Sequence, residues 1–198
     1  MSVRLRLLFI VVAAALLWGS IALQPPLWLY PAVFSVIFLF YANTVTERVP
    51  LYLTNRTTWA AVVELLDHEG KPKGSFIDLG CGLGGTVTDI ARAKPQWRVV
   101  GVETAPGPYL IAKARSAFLP NAEVRFKSLW KVSLADFDVV YAFLSPAPMP
   151  RLLTKAAAEM RPQTLLISNS FWADDQPYDG IVNVNDARTT RLIYTKNQ

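Results

Sequence analysis

A short apolar run passes into a glycine-rich turn at Phe76-Ile77-Asp78-Leu79-Gly80-Cys81-Gly82-Leu83-Gly84-Gly85. The run predicts a buried strand, and the residues after it predict a helix from about Gly85 to Ala93. Glycines let a backbone turn sharply and approach a ligand closely, and the amino end of a helix favours an anion. A second apolar run ends at Glu103, about 20 residues past the glycines, where a carboxylate can hold both hydroxyls of a ribose. The pattern therefore predicts a nucleotide-type cofactor site.

The position of Asp78 indicates which cofactor binds. This acid lies inside the predicted strand, two residues before Gly80. A dinucleotide site usually has an apolar strand there, although Gly80, Gly82 and Gly85 fit its glycine spacing. A carboxylate at this point suits a ligand with a cationic amino group, such as the methionine end of S-adenosylmethionine. Two alternatives stay open: a nicotinamide-dependent oxidoreductase, and a plain glycine turn with Asp78 capping the helix and Glu103 on the surface.

The remainder of the chain predicts an α/β fold. Apolar runs alternate with helical patterns, and a closing pair of strands is expected at 181–184 and 191–195. This alternation predicts a Rossmann-like parallel sheet with a final antiparallel strand and helices on both faces, which binds ligands beyond the carboxyl ends of its strands. The five earlier strands are expected at 75–79, 98–102, 123–127, 138–143 and 164–171.

The segment from Phe76 to about Phe171 resembles the class I S-adenosylmethionine-dependent methyltransferases. The resemblance implies that Asp78 and the glycine loop hold the methionine end and that Glu103 holds the ribose. It also implies an adenine contact at Ser128, although the family usually has an acid there. The cofactor-binding residues expected from it are Asp78, Gly80, Cys81, Gly82, Gly84, Glu103, Ser128 and Leu129.

The whole chain is similar to the small membrane-anchored lysine methyltransferases whose mitochondrial members act on the adenine nucleotide translocase and on the c subunit of ATP synthase. This narrower likeness depends on an amino-terminal hydrophobic segment, on Tyr52-Leu53-Thr54 before a helix, and on Ser128-Leu129-Trp130-Lys131-Val132. The chain has Thr54-Asn55 where the family often has a proline.

The amino-terminal third predicts a membrane anchor. No charged residue lies between Arg6 and Glu47, and apolar runs at 7–23 and 27–44 flank Gln24-Pro25-Pro26. Each run would form a helix of roughly 26 Å, at the short end of what spans a bilayer. We therefore expect a transmembrane helical hairpin within residues 1–46, an entry segment and first helix at 47–74, and the methyltransferase domain at 75–198.

The flanking charges predict how the anchor is oriented. Arg4 and Arg6 precede the first run, and Arg48 and Arg56 follow the second. Basic residues favour the cytoplasmic side, so the catalytic domain is expected on the cytoplasmic or matrix side of a bacterial inner or organellar membrane. A cleaved signal peptide is the alternative for the first run. The net charge of +5 is scattered, which favours anionic lipid over nucleic acid as a partner.

The loop after the fourth predicted strand is the expected place for the methyl acceptor. Tyr141, Ser145 and Pro146 are candidates for lining it, although a plain proline-rich connection is the alternative. The loop lacks the Asp/Asn-Pro-Pro-aromatic signature of methyltransferases that act on nucleic-acid amino groups. No group of Cys, His and acids has metal-ligand spacing, and the single cysteine, Cys81, is expected to be a small filler.

These observations predict a membrane-anchored S-adenosylmethionine-dependent methyltransferase that modifies a lysine of a membrane protein. Methylation of a lipid or lipophilic small molecule is a second enzymatic interpretation that the same anchor would serve. A third interpretation is a non-catalytic assembly factor that keeps the cofactor fold.

Overall fold

The computed structural model describes residues 11–12, 18–19, 22, 24–47, 52, 54–187 and 189–197. The chain divides into two compact units, Met1–Phe38 and Leu39–Gln198. All of the strands described below, and both carboxylates of the predicted cofactor site, belong to the second unit.

Helices and strands alternate along most of the second unit. The helices are α1 (Leu29–Glu47), α2 (Arg56–His68), α3 (Gly85–Ala93), α4 (Pro106–Ser116) and α5 (Met149–Glu159), with a short 3₁₀ turn at Leu129–Lys131. The strands are β1 (Ser75–Leu79), β2 (Arg98–Glu103), β3 (Ala122–Phe126), β4 (Val139–Ala142), β5 (Leu165–Asn169), β6 (Gly180–Asn183) and β7 (Arg191–Lys196).

The strands form one sheet in the order β3-β2-β1-β4-β5-β7-β6. Strands β1 to β5 are parallel, and β7 runs antiparallel to both β5 and β6. Strands β4 and β5 are buried at every residue because helices cover both faces of the sheet, which explains their near-continuous apolar sequence. The predicted parallel sheet with an antiparallel closing strand is therefore confirmed.

Two apolar clusters lie on opposite faces of the sheet, since successive side chains of a strand alternate between faces. In β1, Ile77 and Leu79 belong to one cluster, which packs on α5 through Leu152. Phe76 belongs to the other, which packs on α2 through Leu66. The sheet is thus held rigidly from both sides, and its carboxyl edge can carry a site.

Two helices have proline in their first turn. Helix α4 begins at Pro106, and Pro150 is the second residue of α5. Proline is tolerated there because its missing N–H would have had no partner inside the helix.

Helix α2 is capped by Asn55. The Asn55 side-chain oxygen accepts hydrogen bonds from the Thr58 amide at 2.8 Å and from the Thr58 hydroxyl at 2.9 Å. Asparagine is among the best N-cap residues because its oxygen reaches a free amide of the first turn.

The membrane-spanning hairpin is not supported by this structure. Within the described parts of the chain, none of the helices combines the length and the apolar character needed to cross a membrane. The predicted second arm, 27–44, does overlap helix α1. The predicted first arm, 7–23, lies mostly outside the described residues.

Candidate functional site

The order of the strands reverses at β1, because β2 lies on one side of it and β4 on the other. Open α/β sheets bind ligands in the crevice beyond the carboxyl ends of the strands at such a point. Asp78 lies near the carboxyl end of β1 and is directly opposite Tyr141 of β4 and Gly101 of β2. The topology therefore places the sequence-predicted acid at the expected crevice.

The glycine loop after β1 needs the backbone freedom of its glycines. Gly80, Gly82 and Gly84 have φ angles of 80°, 54° and 74°, all in the left-handed region. A Cβ at Gly84 would also lie 2.8 Å from the Cβ of Ala112 in α4. The amides of Gly80 and Cys81 both donate to the Val102 carbonyl at 3.0 Å, which ties the loop to β2.

Asp78 is a buried carboxylate, only 3% exposed. Burial and, to a smaller extent, the nearby charge of Glu103 raise the pKa of Asp78 to about 8, although a hydrogen bond from Thr86 opposes this rise. The Thr86 hydroxyl in turn accepts from the indole N–H of Trp59 at 3.2 Å. A hydrogen-bond relay from Trp59 through Thr86 to Asp78 thus connects α2 and α3 to the carboxylate of β1. Because this carboxylate is buried, its charged form is unfavourable without a cation beside it.

Glu103 ends β2 and is held by backbone amides. One of its oxygens accepts from the Gly82 amide at 2.9 Å, and the other accepts from Thr104 and Ala105 at 2.7 and 2.8 Å. Glu103 is 6% exposed. These bonds lock the carboxylate next to the glycine loop, on the side of the loop away from β4.

A cavity of about 220 Å³ opens at the carboxyl ends of β1 and β4. Its two charged lining residues, among those that the structure describes, are Asp78 and Arg115. The Arg115 guanidinium donates to the Leu83 carbonyl at 3.1 Å, so it reaches across the glycine loop. The lining is Tyr52, Thr54, Trp59, Asp78, Gly80, Cys81, Leu83, Gly85, Thr86, Arg115, Tyr141 and Phe143.

The donor set of this cavity fits the methionine end of S-adenosylmethionine. Asp78 offers a buried negative charge for the α-amino group, and Arg115 offers a positive charge for the α-carboxylate. Cys81 is buried, and burial raises the pKa of its thiol well above the ordinary value, so it is a neutral wall residue. These residues are therefore suited to a zwitterion with a cationic head, which is what the sequence analysis predicted for Asp78.

The residues expected at the ribose and adenine lie outside this cavity. Glu103 is beside it, across the Gly82 amide. Ser128 caps the 3₁₀ turn by accepting from the Trp130 amide at 3.3 Å, and the Leu129 side chain is buried in the apolar core. Any ligand contact of Leu129 is therefore restricted to its backbone, and the adenine contact at Ser128 stays a prediction.

The three candidates for the acceptor site separate in the structure. Tyr141 lines the cavity, is fully buried, and accepts a hydrogen bond from the Asn169 amide at 3.0 Å. Burial raises the pKa of Tyr141 above its ordinary value, so its hydroxyl stays neutral. Ser145 is buried and Pro146 is exposed, and neither is a lining residue of this cavity.

Several lining residues were missed by sequence reasoning. Trp59 and Thr86 were assigned only to helices, and Arg115 only to a scattered positive charge. A Cβ at Gly85 would lie 2.6 Å from the Trp59 ring, so the second of the paired glycines Gly84-Gly85 makes room for an aromatic residue. That pair is the signal in the sequence, but it does not say which ring fills the space.

Several known proteins with similar sequences are methyltransferases. The family model of the ANTKMT methyltransferase domain matches residues 78–178, just over half of the chain. In Rattus norvegicus, the lysine N-methyltransferase of the ATP synthase C subunit is 31% identical over 121 residues, which cover 58% of this chain and 54% of that protein. The trans-aconitate 2-methyltransferase of Deinococcus radiodurans is 32% identical over 99 residues, covering 48% and 37%. This chain thus spans about half or less of the length of these curated relatives.

Solved structures share the fold. An RNA methyltransferase of Salinibacter ruber, in complex with S-adenosyl-L-homocysteine, superposes with a TM-score of 0.64 at 23% identity and covers 73% of this chain and 93% of its own. The precorrin-6y C5,15-methyltransferase of Geobacter metallireducens gives 0.60 at 13% identity, with 77% and 95% covered. Taken with the matched segment, which begins at Asp78, these findings confirm the resemblance predicted from the sequence. The chain belongs to the family of the ANTKMT methyltransferase domain, whose fold is that of the class I S-adenosylmethionine-dependent methyltransferases.

Proposed function

We propose that this protein transfers a methyl group from S-adenosylmethionine to the side-chain amine of a lysine in a membrane protein. The observation that carries the proposal is the buried carboxylate of Asp78 where the strand order reverses, in a cavity that is also lined by the charged side chain of Arg115. Lysine as the acceptor is supported by the rat relative, which is a lysine N-methyltransferase of the ATP synthase C subunit.

The residues of the cavity would hold the cofactor at both ends of its amino acid. Asp78 would pair with the α-amino group and Arg115 with the α-carboxylate, while the glycine loop lets the backbone come close. When bound, S-adenosylmethionine would supply a methyl group on a cationic sulfur, which would keep the electron pair of the S–CH₃ bond when the acceptor nitrogen takes the methyl carbon. The chain's task is then to place the acceptor nitrogen in line with that bond.

The acceptor must reach the site as a neutral amine. A lysine with a reference pKa near 10.4 carries a deficit of about 4.6 kcal/mol for deprotonation at pH 7. A positive charge about 4 Å away, at an effective dielectric constant of 20, disfavours the ammonium by roughly 4 kcal/mol. The proton can therefore leave to water without a dedicated strong base, and the single histidine, His68, lies exposed in the last turn of α2.

Membrane association is part of the proposal. It is supported by the uncharged sequence between Arg6 and Glu47 and by exposed apolar side chains along α1, among them Phe34, Ile37 and Phe38. Exposed apolar patches of this kind indicate a membrane or protein partner. A hydrophobic anchor would confine enzyme and substrate to one surface, with the catalytic domain on the cytoplasmic or matrix side, and so raise their effective concentration.

The direct test is methyl transfer in native membranes. Membranes from a strain that lacks the gene are incubated with the purified full-length protein and S-adenosylmethionine labelled on its methyl group. Label that runs with a protein band, with a gain of methyl mass on a lysine by mass spectrometry, is expected. Asp78→Asn is the control, and it should abolish labelling. Label that extracts into organic solvent would favour a lipid or lipophilic acceptor, and no labelling with the wild-type protein would favour a non-catalytic assembly factor.

A further inference from the structure

A second cavity of about 300 Å³ adjoins the cofactor cavity. The two share Tyr52, Thr54 and Phe143, so these residues form a common wall. The second cavity extends from that wall past the carboxyl end of β5 to the start of β7, because β7 is antiparallel and begins beside Asn169.

The described lining of the second cavity has a distinct chemistry. It consists of aromatic rings, hydroxyl groups and amides, and none of these side chains is charged. Tyr52 is the centre of the aromatic part: its ring stacks on Phe143 at 4.8 Å between centroids and lies tilted against Phe171 at 6.0 Å. An anionic acceptor would find no cationic partner among these residues, whereas ring faces attract an alkylammonium or a polarised amine.

Polar groups at the carboxyl end of β5 are held in fixed positions. The Asn169 side chain donates to the Tyr141 hydroxyl at 3.0 Å, and its oxygen accepts from the Ser170 hydroxyl at 2.7 Å. Ser170 has a φ of 67°, a left-handed conformation that a residue other than glycine rarely adopts. Strained backbone of this kind persists where the surrounding structure requires it, often at ligand sites.

The opposite side of the lining is also tied down. The Asn55 side chain donates to Asp186 at 2.6 Å, and the same carboxylate accepts from the Thr190 amide and hydroxyl at 3.0 and 2.7 Å. Asn55 and Thr190 both line the cavity, while Asp186 is not among its lining residues. The carboxylate therefore fixes two walls of the cavity and contributes no charge of its own to the lining.

We infer that the second cavity is the acceptor site and that it takes an alkylamine side chain. The rings of Tyr52, Phe143 and Phe171 would surround the alkyl chain, and the amine would lie where this cavity meets the cofactor cavity. This inference rests on the proposed function. The amine lone pair forms the N–CH₃ bond where the two cavities meet, the electrons of the broken S–CH₃ bond remain on sulfur, and the proton of the amine passes to water. Asn169 would contact the amine, since its oxygen, which accepts from Ser170, can accept a second hydrogen bond from an amine N–H.

The test uses the full-length protein and three probes measured by calorimetry. The first is S-adenosylhomocysteine. The others are analogues in which nitrogen replaces the sulfur and carries, in place of the methyl group, an arm that ends either in an amine or in a carboxylate. We expect the amine arm to bind at least about tenfold more tightly than the carboxylate arm of equal length, because only the amine can use the aromatic wall.

Phe171→Leu should reduce that preference roughly three- to tenfold and leave the affinity for S-adenosylhomocysteine within about twofold of the wild type. Trp172→Leu is the matched control, because Trp172 is the next residue but does not line the cavity, and it should leave the preference unchanged. If Phe171→Leu fails to fold, Phe171→Met, which keeps a long apolar side chain but removes the ring, provides the same comparison.

The outcomes separate this inference from the proposed function. A wild-type protein that does not bind S-adenosylhomocysteine contradicts both. A protein that binds it, but shows no preference for the amine arm or keeps that preference when Phe171 is replaced by leucine or methionine, contradicts the acceptor site alone.

Discussion

Asp78 and Glu103 are two buried carboxylates on either side of one glycine loop. Burial disfavours the charged form of a carboxylate, and the charge of Glu103 adds to the rise in the pKa of Asp78. A ligand that brings a positive charge to Asp78 relieves this cost, whereas the pyrophosphate of a dinucleotide would add to it. At the scale of single residues, the site therefore selects a cationic amino group over a phosphate.

The raised pKa of Asp78 makes stability depend on pH. Because the carboxyl binds its proton more tightly in the folded state, with a pKa of about 8 against an ordinary value of 3.8, its favourable contribution is complete below about pH 4 and is lost as pH rises to about 8. We expect Asp78→Asn to remove this decline, so that the variant is more stable than the wild type at pH 8 in the absence of ligand. Urea unfolding at several pH values measures the effect, and parallel curves for the two proteins would contradict it.

Sequence spacing was enough to predict that Asp78 and Glu103 lie beside the glycine loop, because both have fixed offsets from the glycines along a strand-turn-helix unit. Trp59, Thr86 and Arg115 could not be identified in this way. Their roles depend on how α2 and α4 pack beside the loop, and Trp59 and Thr86 are 27 residues apart in the chain. A tryptophan at helical spacing is usually interpreted as a core residue, and only the folded structure shows what its N–H contacts.

At the scale of elements, the relay from Trp59 through Thr86 to Asp78 connects the packing of α2 to cofactor binding. Thr86→Val removes the hydroxyl that stabilises the charged carboxylate, and a hydrogen bond of this kind contributes about 0.5–1.5 kcal/mol. We therefore expect the affinity for S-adenosylhomocysteine to fall roughly three- to tenfold. Calorimetry measures the loss.

Trp59→Phe provides the matched variant for this relay, because it keeps an aromatic ring and loses only the indole N–H. Its effect should be smaller than that of Thr86→Val and absent once Thr86 is already valine. Additive losses in the double variant would show that the two side chains act independently and would contradict the relay.

The side chains at the amino ends of the central strands, opposite the cavities, stabilise the fold. Asp138, just before β4, accepts from the Ser75 amide at 2.9 Å and from the Ser75 hydroxyl at 2.8 Å, and it pairs with Arg161 at 3.2 Å. We expect Asp138→Asn to lower the free energy of unfolding by about 1–2 kcal/mol while leaving the affinity for S-adenosylhomocysteine unchanged. Urea unfolding measures the loss of stability, and calorimetry measures the affinity. A change in affinity would contradict the assignment of stability to the amino ends of the strands and of binding to their carboxyl ends.

The pH dependence at Asp138 has the opposite sign from that at Asp78. Burial raises its pKa, but the Ser75 hydrogen bonds and the charges of Lys71 and Arg161 outweigh burial and lower it below the ordinary value. Its contribution to stability is therefore present at neutral pH and is lost as pH falls through the lowered folded pKa.

The parallel sheet and a site beyond the carboxyl ends of its strands could be predicted because apolar runs alternate with helical patterns along the chain. The role of Tyr52 could not, since one aromatic residue in an irregular segment has no periodicity. The predicted acceptor residues Ser145 and Pro146 lie on the loop that follows β4, but the second cavity forms where β5, β7 and the segment before α2 meet. Such a meeting of distant segments is a property of the folded chain and has no local signature.

At the scale of the whole molecule, every lining residue of both cavities belongs to the unit Leu39–Gln198. The described residues of the amino-terminal unit Met1–Phe38 provide none of them. Cofactor binding should therefore depend on the second unit and membrane association on the apolar amino-terminal segment. The proposed anchor acts only by concentrating enzyme and substrate on one surface.

Removal of residues 1–38 should separate these two properties. We expect the shortened protein to bind S-adenosylhomocysteine within about twofold of the full-length affinity, because it keeps every described lining residue of both cavities, and to stop floating with lipid vesicles in a density gradient. Its methylation of a membrane-embedded substrate should fall by roughly 10²-fold or more, the range by which tethering raises apparent affinity. Asp78→Asn in the full-length chain is the reciprocal control, since it should float with vesicles and bind no cofactor. A shortened protein that still floats, or that loses S-adenosylhomocysteine, would contradict this assignment of functions to the two units.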